Sequence, residues 1–125
     1  MKFEHAALNV PDASAMAAWW IEHCGMRNVR AEDRPPYFLA DASGRTILEL
    51  YSNEAAPVPD YAAQNPLCLH IAFAVEDADA TRDRLIAAGA TLVSDAKLPD
   101  GTQLVMLRDP WGVALQLVQR ETPLP

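Results

Sequence analysis

The feature that most constrains the fold of this sequence is that the chain contains one pattern twice. The segment 3–26 aligns with 68–90, and three positions recur 65 residues later: His5 over His70, Val10 over Val75 and Asp12 over Asp77. A second alignment sets "DASGRTILEL" at 41–50 over "DPWGVALQL" at 109–117, and each reads as a hairpin turn leading into a strand. Such a chain is predicted to fold as two related modules.

Each copy begins as a strand, an acidic turn, a helix and a glycine. Asp12 and Asp77 are predicted N-caps, because a carboxylate accepts from free amide groups at a helix start and suits the helix dipole there. Gly25 and Gly89 follow the last apolar turn of each helix, where a C′ glycine is typical. Both helices are therefore bounded by matching signals.

Two adjacent tryptophans, Trp19 and Trp20, lie in the first predicted helix. Neighbouring residues of a helix point in different directions and cannot share one face. We therefore expect one of them in the core and the other at a subunit interface.

Further short strands complete each copy and are predicted near 36–41, 91–94 and 102–109. The predicted class is α+β, a β-α-β-β-β unit made twice, in modules of about 1–54 and 66–120. The Pro-rich segment 52–66 is predicted to be a surface linker. Neither module is long enough to bury a good core alone, so we expect a single domain over 1–125.

Composition excludes several classes of function. Half of the 125 residues are hydrophobic, 22% are charged, and the formal net charge is −7. These values argue against disorder and against a nucleic-acid or anionic-membrane partner. No signal-peptide h-region and no run of 18 apolar residues is present, so we expect a cytoplasmic protein. Cys24 and Cys68 lack Cys-x-x-Cys spacing, and we expect both as reduced core residues.

The segment 67–75, "LCLHIAFAV", is predicted to be one strand with a histidine in its middle. One face carries apolar side chains expected to pack against helices: Leu67, Leu69, Ile71, Phe73 and Val75. The other face carries Cys68, His70, Ala72 and Ala74. A lone strand histidine is either a core residue satisfied by one hydrogen bond or a metal ligand or base. Small neighbours predict that His70 faces unfilled space, which favours the second interpretation.

Four polar residues occupy matched strand positions in the two copies: His5, Glu49, His70 and Gln116. A carboxylate in a half-buried strand is costly unless it is paired or bound to a cation. If a pseudo-two-fold axis relates the copies, equivalent positions near that axis converge. Two imidazoles, a carboxylate and an amide oxygen are a ligand set for one divalent transition metal, with positions left for water or substrate.

The sequence resembles the vicinal oxygen chelate superfamily, which includes glyoxalase I, methylmalonyl-CoA epimerase, extradiol dioxygenases and bleomycin resistance proteins. The motifs that carry the resemblance are "FEHAALNV", "WWIEHCGM", "TILELY", "LHIAFAV" and "DPWGVALQLVQ". The resemblance implies a cup-shaped mixed sheet with helices outside and metal ligands at His5, Glu49, His70 and Gln116. The metal would be Zn, Ni, Mn, Co or Fe. Gln116 stands where the family most often has Glu, so Glu49 is the only carboxylate and the candidate base.

The function that the resemblance implies is a metal-dependent, glyoxalase-like lyase or isomerase. It would chelate a small oxygenated substrate and stabilise an enediolate or enolate. The alternative is a metal-free protein that binds a drug or metabolite, as bleomycin resistance proteins do. A dioxygenase ranks lower, because its iron triad normally takes a carboxylate from the last strand, where this chain has Gln116. A homodimer is expected, since each short module presents a sheet edge.

Four further residues are predicted to contact substrate: Asn9, Tyr51, Asn53 and Met106. Asn53 matches an asparagine that contacts glutathione in bacterial glyoxalase I-like sequences. Asn9 stands where those sequences usually have an arginine, four residues after the first histidine. One match and one mismatch leave a thiol substrate open. For Asn9, Tyr51 and Met106, an ordinary strand role is an equal alternative.

Overall fold

The structure is a computed structural model that describes all 125 residues. The chain divides into two compact units, Met1–Pro59 and Asp60–Pro125, and the boundary falls inside the segment predicted to be a linker. Each unit contains a four-stranded mixed sheet and one α-helix in the order β-α-β-β-β, which confirms the predicted α+β class and the repeated unit. The single domain over 1–125 stays a prediction.

The first unit is built from β1 (Ala6–Asn9), α1 (Ala13–Cys24), β2 (Arg27–Asn28), β3 (Tyr37–Ala40) and β4 (Thr46–Tyr51). Its sheet order is β1-β4-β3-β2. β1 runs parallel to β4, whereas the other neighbouring pairs are antiparallel. The parallel pair places the start of the unit beside its last strand.

The second unit repeats this order with β5 (Ile71–Ala74), α2 (Ala78–Ala87), β6 (Thr91–Lys97), β7 (Gln103–Arg108) and β8 (Ala114–Gln119), after a 3₁₀ turn at Tyr61–Ala63. Its sheet order is β5-β8-β7-β6, with β5 parallel to β8. The predicted strands near 36–41, 91–94 and 102–109 correspond to β3, β6 and β7. No helix in either unit is both long and apolar enough to cross a membrane.

Both helices begin at the predicted aspartates. Asp12 Oδ1 accepts from the Ala15 amide at 2.9 Å, and Asp77 Oδ1 accepts from the Ala80 amide at 2.8 Å. Gly25 ends α1 with φ +67°, a left-handed conformation that glycine adopts without a Cβ penalty. The local signals in the sequence therefore set these helix boundaries.

The last strand of each unit provides a second cap for that unit's helix. Ser52 Oγ, just after β4, accepts from the Ala13 amide at 3.0 Å. Gln119 Oε1, at the end of β8, accepts from the Ala78 amide at 2.8 Å. Because these contacts join residues about 40 positions apart, they fix each helix against its own sheet.

The hairpin turns before β4 and β8 also share one geometry, as their matched sequences predict. Gly44 donates its amide to the Asp41 carbonyl at 2.9 Å, and Gly112 donates to the Asp109 carbonyl at 2.9 Å. Both glycines have positive φ, +84° and +89°. Each turn therefore needs glycine at its fourth residue.

The helices bury apolar side chains against their sheets. The largest fully buried side chains of the first unit are Trp20, Met16, Leu39, Leu50 and Val10, and those of the second are Leu85, Leu107, Leu115, Leu117, Val105 and Val113. Trp19 and Trp20 are both buried, at 8% and 0% exposure, so the prediction that one of them lies at a subunit interface is wrong. Adjacent helical residues are only about 100° apart, and the apolar arc of α1 is wide enough for both.

The predicted strand over 67–75 is shorter in the structure, since β5 begins at Ile71. Asn65 Oδ1 accepts from the Leu67 amide at 2.9 Å, and the Cys68 amide donates to the Asn65 carbonyl at 2.9 Å, so a turn occupies these residues. Leu67 and Leu69 are 83% and 45% exposed, and the prediction that they pack against helices is wrong.

Neither cysteine forms a disulfide, and the two differ in their surroundings. Cys24 is half-buried at the end of α1. Cys68 is exposed, so its predicted place in the core is wrong. The reason is the turn before β5, which keeps Cys68 out of the sheet.

Candidate functional site

The first unit brings together two of the predicted ligands. His5 immediately precedes β1, and Glu49 lies in the parallel neighbour β4, where it pairs with Ala7. His5 Nε2 is 3.1 Å from Glu49 Oε2, and the two side chains are 27% and 17% exposed. The imidazole is therefore the partner that a half-buried strand carboxylate requires.

The opposite edge of the His5 ring is less well satisfied. His5 Nδ1 lies 3.1 Å from Glu4 Oε2, yet it is buried and makes no hydrogen bond of acceptable geometry. Phe38 meets the imidazole edge-on, with ring centroids 5.5 Å apart. The ring therefore contacts Phe38 edge-on and pairs with Glu49 through Nε2, while Nδ1 has no hydrogen-bond partner.

The second unit contains the other predicted pair. His70 Nδ1 lies 2.9 Å from the Pro66 carbonyl oxygen. Because a carbonyl only accepts, Nδ1 carries the proton in this contact, and Nε2 of the neutral ring keeps its lone pair. Gln116 in β8 lies between Ala72 of β5 and Met106 of β7.

His70 and Gln116 line one open cavity of about 900 Å³ in the second unit. Ala72 and Ala74 of β5 and Val118 of β8 form the wall beside them. The prediction that small neighbours leave space in front of His70 is therefore confirmed. The volume lies in the range of small-molecule sites, which are about 300–1,000 Å³.

Arg120 also lines this cavity and was not among the site residues that the sequence predicted. It follows β8 directly and is the only arginine or lysine in the cavity lining. The alternation of side chains along a strand could have indicated it, since residues 116, 118 and 120 share one face of an extended chain. Extending the face of Gln116 past the strand end would have found it.

The four residues predicted to contact substrate have different surroundings. Asn9 Nδ2 donates to the Asn53 and Ala56 carbonyls at 3.0 and 3.1 Å, and the Asn53 amide donates to Asn9 Oδ1 at 2.8 Å. The Asn9 side chain therefore holds the segment after β4. Tyr51 pairs with Asn9 across β1 and β4 and is half-buried, while Met106 is buried opposite Gln116. Their contact with substrate stays a prediction.

The donors in each unit are suited to a divalent transition ion in kind, since imidazole, carboxylate and amide oxygen all ligate such ions. His5 Nδ1 is a buried ring nitrogen with no hydrogen-bond partner, which is unusual unless a further group fixes the ring. The structure contains no group of three or more His, Cys, Asp and Glu side chains that could hold a metal. The ligand set of His5, Glu49, His70 and Gln116 therefore stays a prediction.

Comparison with known proteins extends these observations. The family model described as a glyoxalase-like domain matches residues 5–118. An ethylmalonyl-CoA/methylmalonyl-CoA epimerase from Cereibacter sphaeroides is 29% identical over 103 residues, which cover 77% of each chain.

Two solved structures share the fold over nearly the whole chain. A glyoxalase-related enzyme from Fulvimarina pelagi is 18% identical with a TM-score of 0.74, covering 100% of this chain and 93% of its own. TnmS3, an antibiotic binding protein from Streptomyces sp. CB03234, is 17% identical with a TM-score of 0.69, covering 97% of both chains. The family match spans both strand-helix repeats and all four predicted ligands. The chain therefore belongs to the glyoxalase-like domain family of the vicinal oxygen chelate superfamily.

Proposed function

We propose that this protein is a metal-dependent lyase or isomerase of glyoxalase type that moves a proton on a carbon next to a carbonyl group. The observation that carries the proposal is the contact of His5 Nε2 with Glu49 Oε2 at 3.1 Å in a half-buried position. It joins a ligand-type nitrogen to the only carboxylate of the predicted set. The named activity of the Cereibacter relative, an epimerase of acyl-CoA thioesters, supports a proton-transfer reaction.

His5, Glu49, His70 and Gln116 would hold one divalent ion, of zinc, nickel, manganese, cobalt or iron. When bound, the ion supplies Lewis-acid stabilisation of the negative charge that develops on a substrate oxygen. His70 is suited to ligation because its Nδ1 faces the Pro66 carbonyl, which leaves Nε2 with its lone pair.

Glu49 is the proposed base. Its carboxylate removes a proton from the substrate carbon and returns it to the same or a neighbouring carbon. Gln116 occupies the matched position in β8, and its neutral amide cannot accept a proton at neutral pH. Proton transfer would thus be confined to the carboxylate that the first unit supplies.

The test combines metal content with proton exchange. Protein purified without added metal is analysed for bound zinc, nickel, manganese, cobalt and iron, alongside His5→Ala and His70→Ala. Solvent deuterium incorporation is then followed in methylmalonyl-CoA and in the adduct of methylglyoxal with glutathione. We expect Glu49→Gln to slow exchange about 100-fold or more. Glu4→Gln is the matched control, because Glu4 lies at the same distance from the other nitrogen of the same ring.

The results separate two roles of Glu49. If Glu49→Gln keeps its metal but no longer exchanges substrate protons with solvent, Glu49 acts as the base. If the variant loses both the metal and the exchange, Glu49 acts as a metal ligand. Wild-type protein that binds none of these metals, and whose histidine variants behave identically, would remove the enzyme proposal.

A metal-free binding protein for a drug or metabolite is the second candidate. The cavity of about 900 Å³ supports it, because drug-sized ligands occupy sites of this volume. The likeness to the antibiotic binding protein from Streptomyces supports it as well. Ligand affinity that is unchanged by a chelator, together with no exchange in any substrate, would favour this candidate. A dioxygenase and a homodimer stay predictions; mass measurement in solution tests the dimer.

A further inference from the structure

We propose that Arg108 is a positioning residue for His70. It holds the segment 61–66 in place, and the Pro66 carbonyl of that segment selects which nitrogen of the His70 ring carries the proton. The assignment rests on the proposed function for one point only, the use of His70 as a metal ligand. The relation between Arg108, Pro66 and the imidazole can be tested without metal or substrate.

Arg108 is the last residue of β7, and its guanidinium binds three main-chain carbonyls. Nη1 donates to the carbonyls of Tyr61 and Gly112 at 2.8 and 2.9 Å. Nη2 donates to the carbonyl of Gln64 at 2.6 Å. A guanidinium suits this arrangement because its donors form a rigid planar fork. Arg108 therefore joins the hairpin turn before β8 to two points of the segment that precedes His70.

The first unit shows that the hairpin turn itself does not require an arginine. In the alignment of the two turns, Arg108 corresponds to Ala40, which is fully buried. Both turns nevertheless have the same hydrogen bond of 2.9 Å from the glycine amide to the aspartate carbonyl. What Arg108 adds to the second unit is therefore its pair of bonds to Tyr61 and Gln64.

The residues between Tyr61 and β5 have few apolar contacts. Positions 62–65 and 67–70 are exposed, and strand pairing begins only at Ile71. The hydrogen bonds of Asn65 to the Leu67 and Cys68 amides lie within one turn, so they shape the turn without tying it to the sheet. In such a segment the position of the backbone depends on the few hydrogen bonds that reach a rigid element.

The position of this backbone matters because His70 reads it directly. His70 Nδ1 lies 2.9 Å from the Pro66 carbonyl oxygen, and Pro66 follows Gln64 by two residues. A carbonyl only accepts, so this contact requires the proton on Nδ1 and leaves the lone pair on Nε2. If Gln64 is released and the Pro66 carbonyl moves away, the proton is free to occupy Nε2. A protonated Nε2 cannot bind a metal.

The readout is the pair of ring-nitrogen chemical shifts of His70, which separates a protonated nitrogen from an unprotonated one. Metal-free protein with isotopically labelled histidine nitrogens is studied at alkaline pH, where an imidazole is neutral. The chain has 3 histidines, so His70→Gln identifies the signals of His70. His5 and His23, in the first unit, serve as internal references.

Two variants change Arg108, and one variant controls for lost stability. Arg108→Lys keeps the charge but cannot bind carbonyls at both ends of the fork, and Arg108→Gln removes the charge as well. The control is Asp77→Ala, which removes the side-chain cap at the Ala80 amide. Loss of this cap destabilises the same unit. Asp77 follows β5, whereas His70 precedes it, so the control leaves the segment 61–66 intact.

We expect wild-type His70 to have a protonated Nδ1 and an unprotonated Nε2. In both Arg108 variants the two shifts should converge, because the ring then exchanges between its two tautomers. Asp77→Ala should keep the wild-type shifts. The affinity of the Arg108 variants for zinc should fall about tenfold or more, as is typical when a residue that orients a metal ligand is lost.

A single Nδ1-protonated form retained in both Arg108 variants would overturn the assignment. Equal changes in Arg108→Lys and Asp77→Ala would overturn it too, as would a wild-type ring with an unprotonated Nδ1. Wild-type protein that binds no zinc would count against the proposed metal chemistry instead. The ring shifts of the metal-free protein would still decide the role of Arg108.

Discussion

Gly44 and Gly112 occupy the same position in two matched hairpin turns, but only Gly112 lies against Ala62. The variant Gly44→Ala can therefore serve as a reference for the energetic effect of that close contact. Gly44 and Gly112 donate to Asp41 and Asp109 over the same distance of 2.9 Å, and their φ angles are +84° and +89°. Replacing either glycine with alanine imposes the same left-handed strain, about 1–2 kcal/mol. The backbone cost should therefore cancel when Gly44→Ala is subtracted from Gly112→Ala.

The surroundings of the two glycines differ. A Cβ on Gly44 would meet only the flexible tip of Arg27, at 3.5 Å. A Cβ on Gly112 would lie 2.7 Å from the Cβ of Ala62, and 2.8 and 2.9 Å from its backbone nitrogen and Cα. Backbone atoms cannot rotate away, so Gly112→Ala should cost about 1–3 kcal/mol more, the range for overpacking.

The steric effect of Gly112→Ala should extend to the candidate site. Arg108 donates to the Tyr61 and Gly112 carbonyls at 2.8 and 2.9 Å and to the Gln64 carbonyl at 2.6 Å, which anchors the segment before His70. A displaced Ala62 strains these bonds. We therefore expect Gly112→Ala, and not Gly44→Ala, to alter the resonances of the His70 ring.

The assay is urea unfolding of both variants, with hydrogen exchange read separately for peptides of each unit. We expect free energies of unfolding lowered by about 1–2 kcal/mol for Gly44→Ala and about 2–5 kcal/mol for Gly112→Ala. Equal losses for the two variants would refute the reasoning, because the contact with Ala62 would then have no energetic consequence.

Two further perturbations test other contacts. The pKa of Asp79 lies below its usual 3.8, chiefly because Gln103 donates a hydrogen bond to its carboxylate. The stabilisation that ionised Asp79 provides is therefore present above the usual pKa and is lost as pH falls through the lowered pKa. Acid unfolding followed by circular dichroism should therefore be less steep for Asp79→Asn, and an unchanged slope would contradict this. Asn9→Ala should free the segment 53–56 and accelerate hydrogen exchange at the Asn53 amide, with β3 as the unaffected control. Unchanged Asn53 protection would mean that Asn9 does not hold this segment.

Much of the fold could be predicted because the signals are local and occur twice. Each signal involves only a few neighbouring positions. A carboxylate three residues before a free amide predicts a helix start, a glycine after an apolar turn predicts a helix end, and alternating residues predict a strand. Asp12, Asp77 and Gly25 accordingly begin or end helices where expected. The repeat strengthened these predictions, since the first strand, the helix and the last strand of a unit were each predicted from two sequences. The strand at 91–94 was predicted in the second copy alone, and its short counterpart β2 was not predicted.

The errors have equally physical causes. Hydrophobicity made Leu67 and Leu69 look like strand residues, but Asn65 offers a competing turn, and local side-chain bonds to backbone win where no neighbouring strand pairs. The adjacent tryptophans were assigned to different surroundings by helix geometry alone. Both are covered because the buried face of α1 is wide, and that width depends on what packs against the helix.

The element order, the helix boundaries and the residue types of the candidate site could all be derived from the sequence, because they follow from periodicity and from chemistry within a few residues. Which of those side chains meet could be learned only from the folded chain. The contact of His5 with Glu49 and the capping of α2 by Gln119 join residues that sheet pairing brings close together. Such contacts depend on register and packing across the whole unit, and no local pattern encodes them.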